Sequence, residues 1–151
     1  LMGIKGKESV DSSHKKLGHI MWEYVGMGRT EEGLKTALKL LKEIRQEFET
    51  NLFIPGSTEG VNIELEKALR LNDFITMGEL IAYDALNRNE SCGGHFREEY
   101  QTEEGEAKRD DENYFYVSCW EYQGSDDVAP VLYKEPLVYE AIKVQTRNYK
   151  S

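Results

Sequence analysis

Apolar residues recur through the first part of the chain at helical spacing. Val10, His14, Leu17, Met21 and Tyr24 fall at steps of four and three across residues 9–25, one face of an amphipathic helix that Gly26-Met27-Gly28 ends. Thr30 followed by Glu31 and Glu32 reads as an N-cap with acidic residues in the first turn. Leu34, Ala37, Leu38, Leu41, Ile44, Phe48 and Leu52 then hold the period over residues 30–52. Pro55 and Gly56 break this second helix, because proline disfavours helical geometry in the residue before it. With Asn62 as cap, residues 62–87 form a third helix that is apolar around more than one face, which predicts cover on two sides. Gly78 in its middle costs about 1 kcal/mol against alanine, and close approach of a neighbouring backbone would explain it.

After residue 88 the period changes. Tyr114, Tyr116, Ser118, Trp120 and Tyr122 alternate with Phe115, Val117, Cys119 and Glu121, a strand pattern rich in aromatic and β-branched residues. A turn at Gly124-Ser125-Asp126-Asp127 leads to a returning strand at Val131-Leu132-Tyr133, with Pro136 where an edge strand tolerates it. The expected fold is mainly α: an antiparallel up-and-down three-helix bundle of the spectrin-repeat kind (helices about 9–25, 30–52 and 62–87), then a polar loop and a C-terminal β-hairpin over about 112–140. Its 151 residues suffice for one domain with its own core.

Charge narrows the partners. Nineteen Lys+Arg against 28 Asp+Glu give a formal net charge of −9, which repels phosphate backbones and anionic lipid, so neither nucleic acid nor direct membrane contact is expected. No apolar run is long enough to span a bilayer. Two cysteines, Cys92 and Cys119, are too few for a disulfide framework and suggest a reducing, cytoplasmic setting. The chain opens on Leu1, which suggests a piece cut from a longer polypeptide.

The loop between helix and hairpin holds the residue types that chemistry uses. Cys92-x-x-His95 has half the spacing of a zinc site, but a structural site needs four ligands, so no metal is expected. His14 and His19 lie on different sides of a straight helix and read as ordinary surface or packing histidines. A thiol enzyme built on Cys92 and His95 would need an electropositive niche, whereas this loop is dense in Glu. No phosphate-binding glycine motif is present.

The run Arg88-Asn89-Glu90-Ser91-Cys92-Gly93-Gly94-His95-Phe96-Arg97-Glu98-Glu99, followed by Arg109-Asp110-Asp111-Glu112-Asn113-Tyr114, closely resembles the R-x-E-S-R-G-x-H-x-R and R-D-D-x-N motifs of the succinate dehydrogenase and fumarate reductase flavoprotein subunits. Three helices precede the motif in that family, as here. Leu132 to Tyr139 is similar to the terminal strand region of the branch partnered with a dihaem cytochrome b. The resemblance implies a C-terminal domain of a succinate:quinone oxidoreductase or fumarate reductase flavoprotein, inactive by itself. The covalent FAD and the catalytic groups would lie in preceding domains, so no catalytic, cofactor-binding or metal residue is carried over. Implied partners are the chain's own N-terminal FAD-binding domain, the iron–sulfur subunit and, indirectly, a membrane cytochrome b subunit, which would place the protein at the inner face of the membrane. Glu90, Ser91, Gly93, Gly94, His95, Arg97, Arg109, Asp110, Asp111 and Asn113 are the implied docking residues. Cys92 stands where most relatives carry Arg, and the Gln101–Lys108 stretch is longer than the usual spacer. Apolar surface normally covered by the flavin domain could pair two copies in a non-physiological dimer. A reading of another class is a free-standing helical interaction module whose aromatic face is Tyr114, Tyr116, Trp120 and Tyr122.

Overall fold

Each long helix starts at a side chain that accepts a hydrogen bond from an otherwise unpaired N–H of the first turn. Ser9 caps α1 (Val10–Val25), Thr30 caps α2 (Glu31–Asn51) and Asn62 caps α3 (Ile63–Asn87). These bounds lie within a residue or so of those expected from periodicity. The computed structural model describes residues 1–125 and 128–145.

The three helices pack into the expected bundle. Val10, Leu17 and Val25 of α1 meet Leu34, Ala37, Leu41, Ile44 and Phe48 of α2 and Ala68, Leu71, Ile75, Ala82 and Ala85 of α3. Successive helices run in opposite directions, so the end of α1, the start of α2 and the end of α3 share one end of the bundle. At the other end, a parallel pair of two-residue strands, β1 (Glu8–Ser9) and β2 (Leu52–Phe53), ties the N-terminal segment to the exit of α2. Periodicity assigns Leu52 to a helix and gives no sign of this pairing, whose partners are 44 positions apart.

Two further details depart from expectation. A Cβ on Gly78 would meet side chains of Leu17, Met21 and Leu41 rather than a neighbouring backbone, the nearest being Met21 Sδ at 3.1 Å. The absent side chain makes room for α1 and α2 side chains, not for a close backbone crossing. Tyr114 belongs to a helical turn, α4 (Asp111–Tyr114), because the Asp110 carboxylate accepts from the Asn113 N–H and so starts a helix where the alternation suggests a strand. The strand proper is β3 (Tyr116–Glu121), antiparallel to β4 (Val131–Pro136), with Tyr116 opposite Pro136 and Glu121 opposite Val131. Of the expected turn residues, Asp126 and Asp127 lie outside the described residues.

Trp120 faces the bundle. Its indole N–H donates to Asp84 at 2.8 Å and its ring meets Tyr83 edge-on, which fastens the hairpin to α3. Tyr116 and Trp120 lie on the half-buried side of β3, and Tyr122 follows the strand in the open. The four aromatics therefore do not form one binding face.

Candidate functional site

Neither α1 nor α3 carries a basic residue in its last turn. Their C-terminal carbonyls are met instead by arginines from elsewhere in the chain, and the loop after α3 delivers the arrangement. Arg97, 0% exposed, donates from its guanidinium to the carbonyls of Ala85 (3.0 Å) and Leu86 (3.3 Å) at the end of α3. Its Nε donates to Glu99 at 3.0 Å, and the other Glu99 oxygen accepts from the Glu31 N–H at 2.6 Å, the first residue of α2. One ion pair thus places a cation at the negative end of α3 and an anion at the positive end of α2. Burial raises the Glu99 carboxyl, but the Glu31 N–H and Arg97 outweigh it and hold the group below the ordinary carboxylate value.

Arg29 treats α1 in the same way, donating from Nε to the carbonyls of Val25 and Gly26, both at 3.1 Å. Its NH1 lies 2.9 Å from His95 Nδ1, and His95 Nε2 lies 2.9 Å from the Arg88 carbonyl. Backbone pairing reinforces the tie: Arg29 N–H donates to Phe96 and Glu98 N–H to Arg29. The ends of all three helices are therefore fastened to the 88–99 segment.

Inside that segment the polar groups are spent on one another. Ser91, fully buried, accepts from Arg97 N–H at 2.8 Å and donates to its carbonyl at 3.1 Å. Glu90, also buried, accepts from Arg88 Nε (2.9 Å) and from Asp110 N–H (2.8 Å). The Arg88 guanidinium also donates to the carbonyls of Tyr114 and Tyr116 and lies against both rings. Cys92 and His95 exchange two backbone hydrogen bonds around a tight turn in which Gly93 takes φ +58°, a left-handed conformation that glycine adopts without a steric penalty.

The expected docking residues accordingly divide. Glu90, Ser91, His95 and Arg97 belong to the internal network, whereas Gly93, Gly94, Asp111 and Asn113 face outward. Asp110 caps α4 and holds the Asn113 amide at 3.0 Å, both lining a polar recess of about 480 Å³ beside Asn89 and Lys134. Arg109 pairs with Asp111, which raises its pKa, and reaches the Gln145 carbonyl. The longer Gln101–Lys108 stretch closes on itself, bridged between Gln101 and Ala107. Both ring nitrogens of His95 are occupied, so it cannot serve exposed Cys92 as a base. Among the described residues no three metal-ligating side chains converge. Arg29 escaped sequence reading because it stands 66 positions from His95 and only folding brings the two together.

A second surface is apolar. Between α1 and α3, Leu17, Met21, Phe74, Met77 and Ile81 line a shallow groove of about 280 Å³, with His14 stacked on Phe74 at its rim. Met77 is 52% and Ile81 41% exposed. This is the second apolar side of α3, open in this structure.

Residues 14–149 match the family described as fumarate reductase flavoprotein C-term. The chain belongs to that family. It is 30% identical over 137 residues to the fumarate reductase flavoprotein subunit of Helicobacter pylori, covering 91% of this chain and 18% of that protein. It is also 38% identical over 86 residues to the L-aspartate oxidase 2-b of Nicotiana tabacum, covering 57% of this chain and 13% of that protein. Among solved structures, the Mycobacterium smegmatis Sdh1 complex contains a chain that superposes with a TM-score of 0.70 at 27% identity, covering 89% of this chain and 21% of that one. The chain thus spans less than a fifth of the curated relatives it matches. Among the described residues no helix is long and apolar enough to cross a membrane.

Proposed function

We propose that residues 1–151 are a single C-terminal helical domain of a longer FAD-dependent flavoprotein subunit that interconverts succinate and fumarate, and that the domain's own work is scaffolding. The open apolar α1–α3 groove carries this reading. A bundle with its core already closed has no internal use for Phe74, Met77 and Ile81 at the surface, and apolar surface of this kind is characteristic of an interface. In this reading the groove seats the preceding FAD-binding domain, which holds the flavin covalently. Gly93, Gly94, Asp111 and Asn113, with Asp110 and Arg109 behind them, supply polar contacts at the same domain or the iron–sulfur subunit. A dihaem cytochrome b is reached only through that subunit, which places the assembly on the cytoplasmic face of the membrane. Similarity to an L-aspartate oxidase as well as to fumarate reductase supports a domain that positions catalysis without choosing the substrate.

Flavin content separates this reading from its rivals. The 151-residue chain is expected to purify colourless and to turn over neither succinate nor fumarate, while a polypeptide that also carries the upstream reading frame binds FAD and does both. Flavin fluorescence retained by the short chain would overturn the proposal.

A further inference from the structure

We propose that His95 is an acid-sensitive latch: as a neutral ring it ties the α1–α2 connection to the loop after α3, and its protonation releases that tie. The argument rests on what its two partners are. A carbonyl can only accept, so the nitrogen 2.9 Å from Arg88 O carries the ring proton. A guanidinium can only donate, so the nitrogen 2.9 Å from Arg29 NH1 must be the acceptor. One tautomer of the neutral ring satisfies both contacts. The imidazolium satisfies one, because its second N–H would point at an N–H of Arg29 and add a positive charge beside it.

The surroundings offer the imidazolium only the Arg88 carbonyl, which it already holds as a neutral ring. From the α1–α2 connection it faces Arg29, from the end of α3 Arg88, and from its own loop Arg97, all three disfavouring a positive ring. The nearby carboxylates are committed elsewhere. Glu90 is held by Arg88 and the Asp110 N–H, Glu99 by Arg97 and the Glu31 N–H, and Asp84 by the Trp120 indole. Exposed Glu98 lies beside Gly28 on the far side of the Arg29 backbone pairing. Burial, first, pushes the ring's pKa below its ordinary value of 6.5; the Arg88 carbonyl pulls it back in part, and the three guanidinium groups add to the lowering.

The direction with pH follows. The unfastened loop, with a ring of ordinary pKa, takes up a proton before the fastened loop does, so the tie holds at full strength above about pH 6.5. From there down to the ring's own lower pKa, opening grows about tenfold per pH unit and then levels off. What opens is the pairing of Phe96 and Glu98 with Arg29, while Arg97 stays seated on the end of α3 and the helices stay packed.

Hydrogen exchange on the 151-residue chain tests this. Protection of the Glu98 amide, corrected for intrinsic rate, is expected to fall as pH drops from 7.5 to 5. H95Q, whose amide can both donate and accept without titrating, should keep its protection. Unchanged protection in the native chain, or the same acid loss in H95Q, would overturn the latch. If H95Q does not fold, the native ring decides by its nitrogen chemical shifts: the Nε2–H tautomer with titration below 6.5 supports the proposal, and the Nδ1–H tautomer or titration at or above 6.5 overturns it.

Discussion

Arg97 shows how one side chain can hold a charged loop in a helical domain. Its guanidinium is fully buried, yet two carbonyls and a carboxylate take its donors, so no polar hydrogen is stranded along these directions. R97M keeps the bulk but removes the cap and leaves the end of α3 without donors. It is expected to lower stability by about 3 kcal/mol, read as a shift of the urea midpoint at constant slope. S91A should cost roughly 1–2 kcal/mol by the same measurement, since fully buried Ser91 Oγ both gives and accepts a hydrogen bond. At this scale the motif's residue types were readable, but their assignments were not. Glu90, Ser91 and Arg97 looked like groups awaiting an external partner, and they found their partners within the chain.

Among elements, α3 is the one with two employments. Its Ala68, Leu71, Ile75, Ala82 and Ala85 side closes the core, while Phe74, Met77 and Ile81 form the open groove with α1. A charge on the second side should therefore separate folding from assembly. M77E in the 151-residue chain is expected to change stability by less than about 0.5 kcal/mol, because Met77 is already half in water. If the groove seats a preceding FAD-binding domain, as proposed above, the same substitution in a polypeptide carrying that domain buries a carboxylate, and loss of co-purifying flavin is the expected readout. Equal destabilisation of both forms would show that the groove is merely the edge of the core. The hairpin offers the contrasting case: aromatic alternation located β3, but Asp110 turned residues 111–114 into a helical turn, a local cap overriding a pattern.

For the whole molecule, charge and the groove act against each other. At a net charge of −9, two copies repel at low ionic strength, and screening removes that repulsion while leaving apolar attraction intact. Sedimentation velocity of the 151-residue chain is expected to show monomer in low salt and association in high salt, with M77E monomeric in both. Association favoured by low salt would point to the polar loop as the contact.

Three helices, their caps at Thr30 and Asn62, the excess apolar surface of α3 and the family motif after Arg88 were all written locally. Caps act over three residues, helical periodicity over a few turns, and a motif over a dozen positions, so each is visible without knowing where the chain goes next. The fold decided the meetings between distant segments. It brought Arg29 to His95, Glu99 to the first N–H of α2, Trp120 to Asp84 and the N-terminal segment to Leu52. The first three depend on the end of α1, the start of α2 and the end of α3 converging at one end of the bundle, and the fourth on the N-terminal segment meeting the exit of α2 at the other. A buried guanidinium or imidazole carries no mark in the sequence of the carbonyl or cation that folding will place beside it.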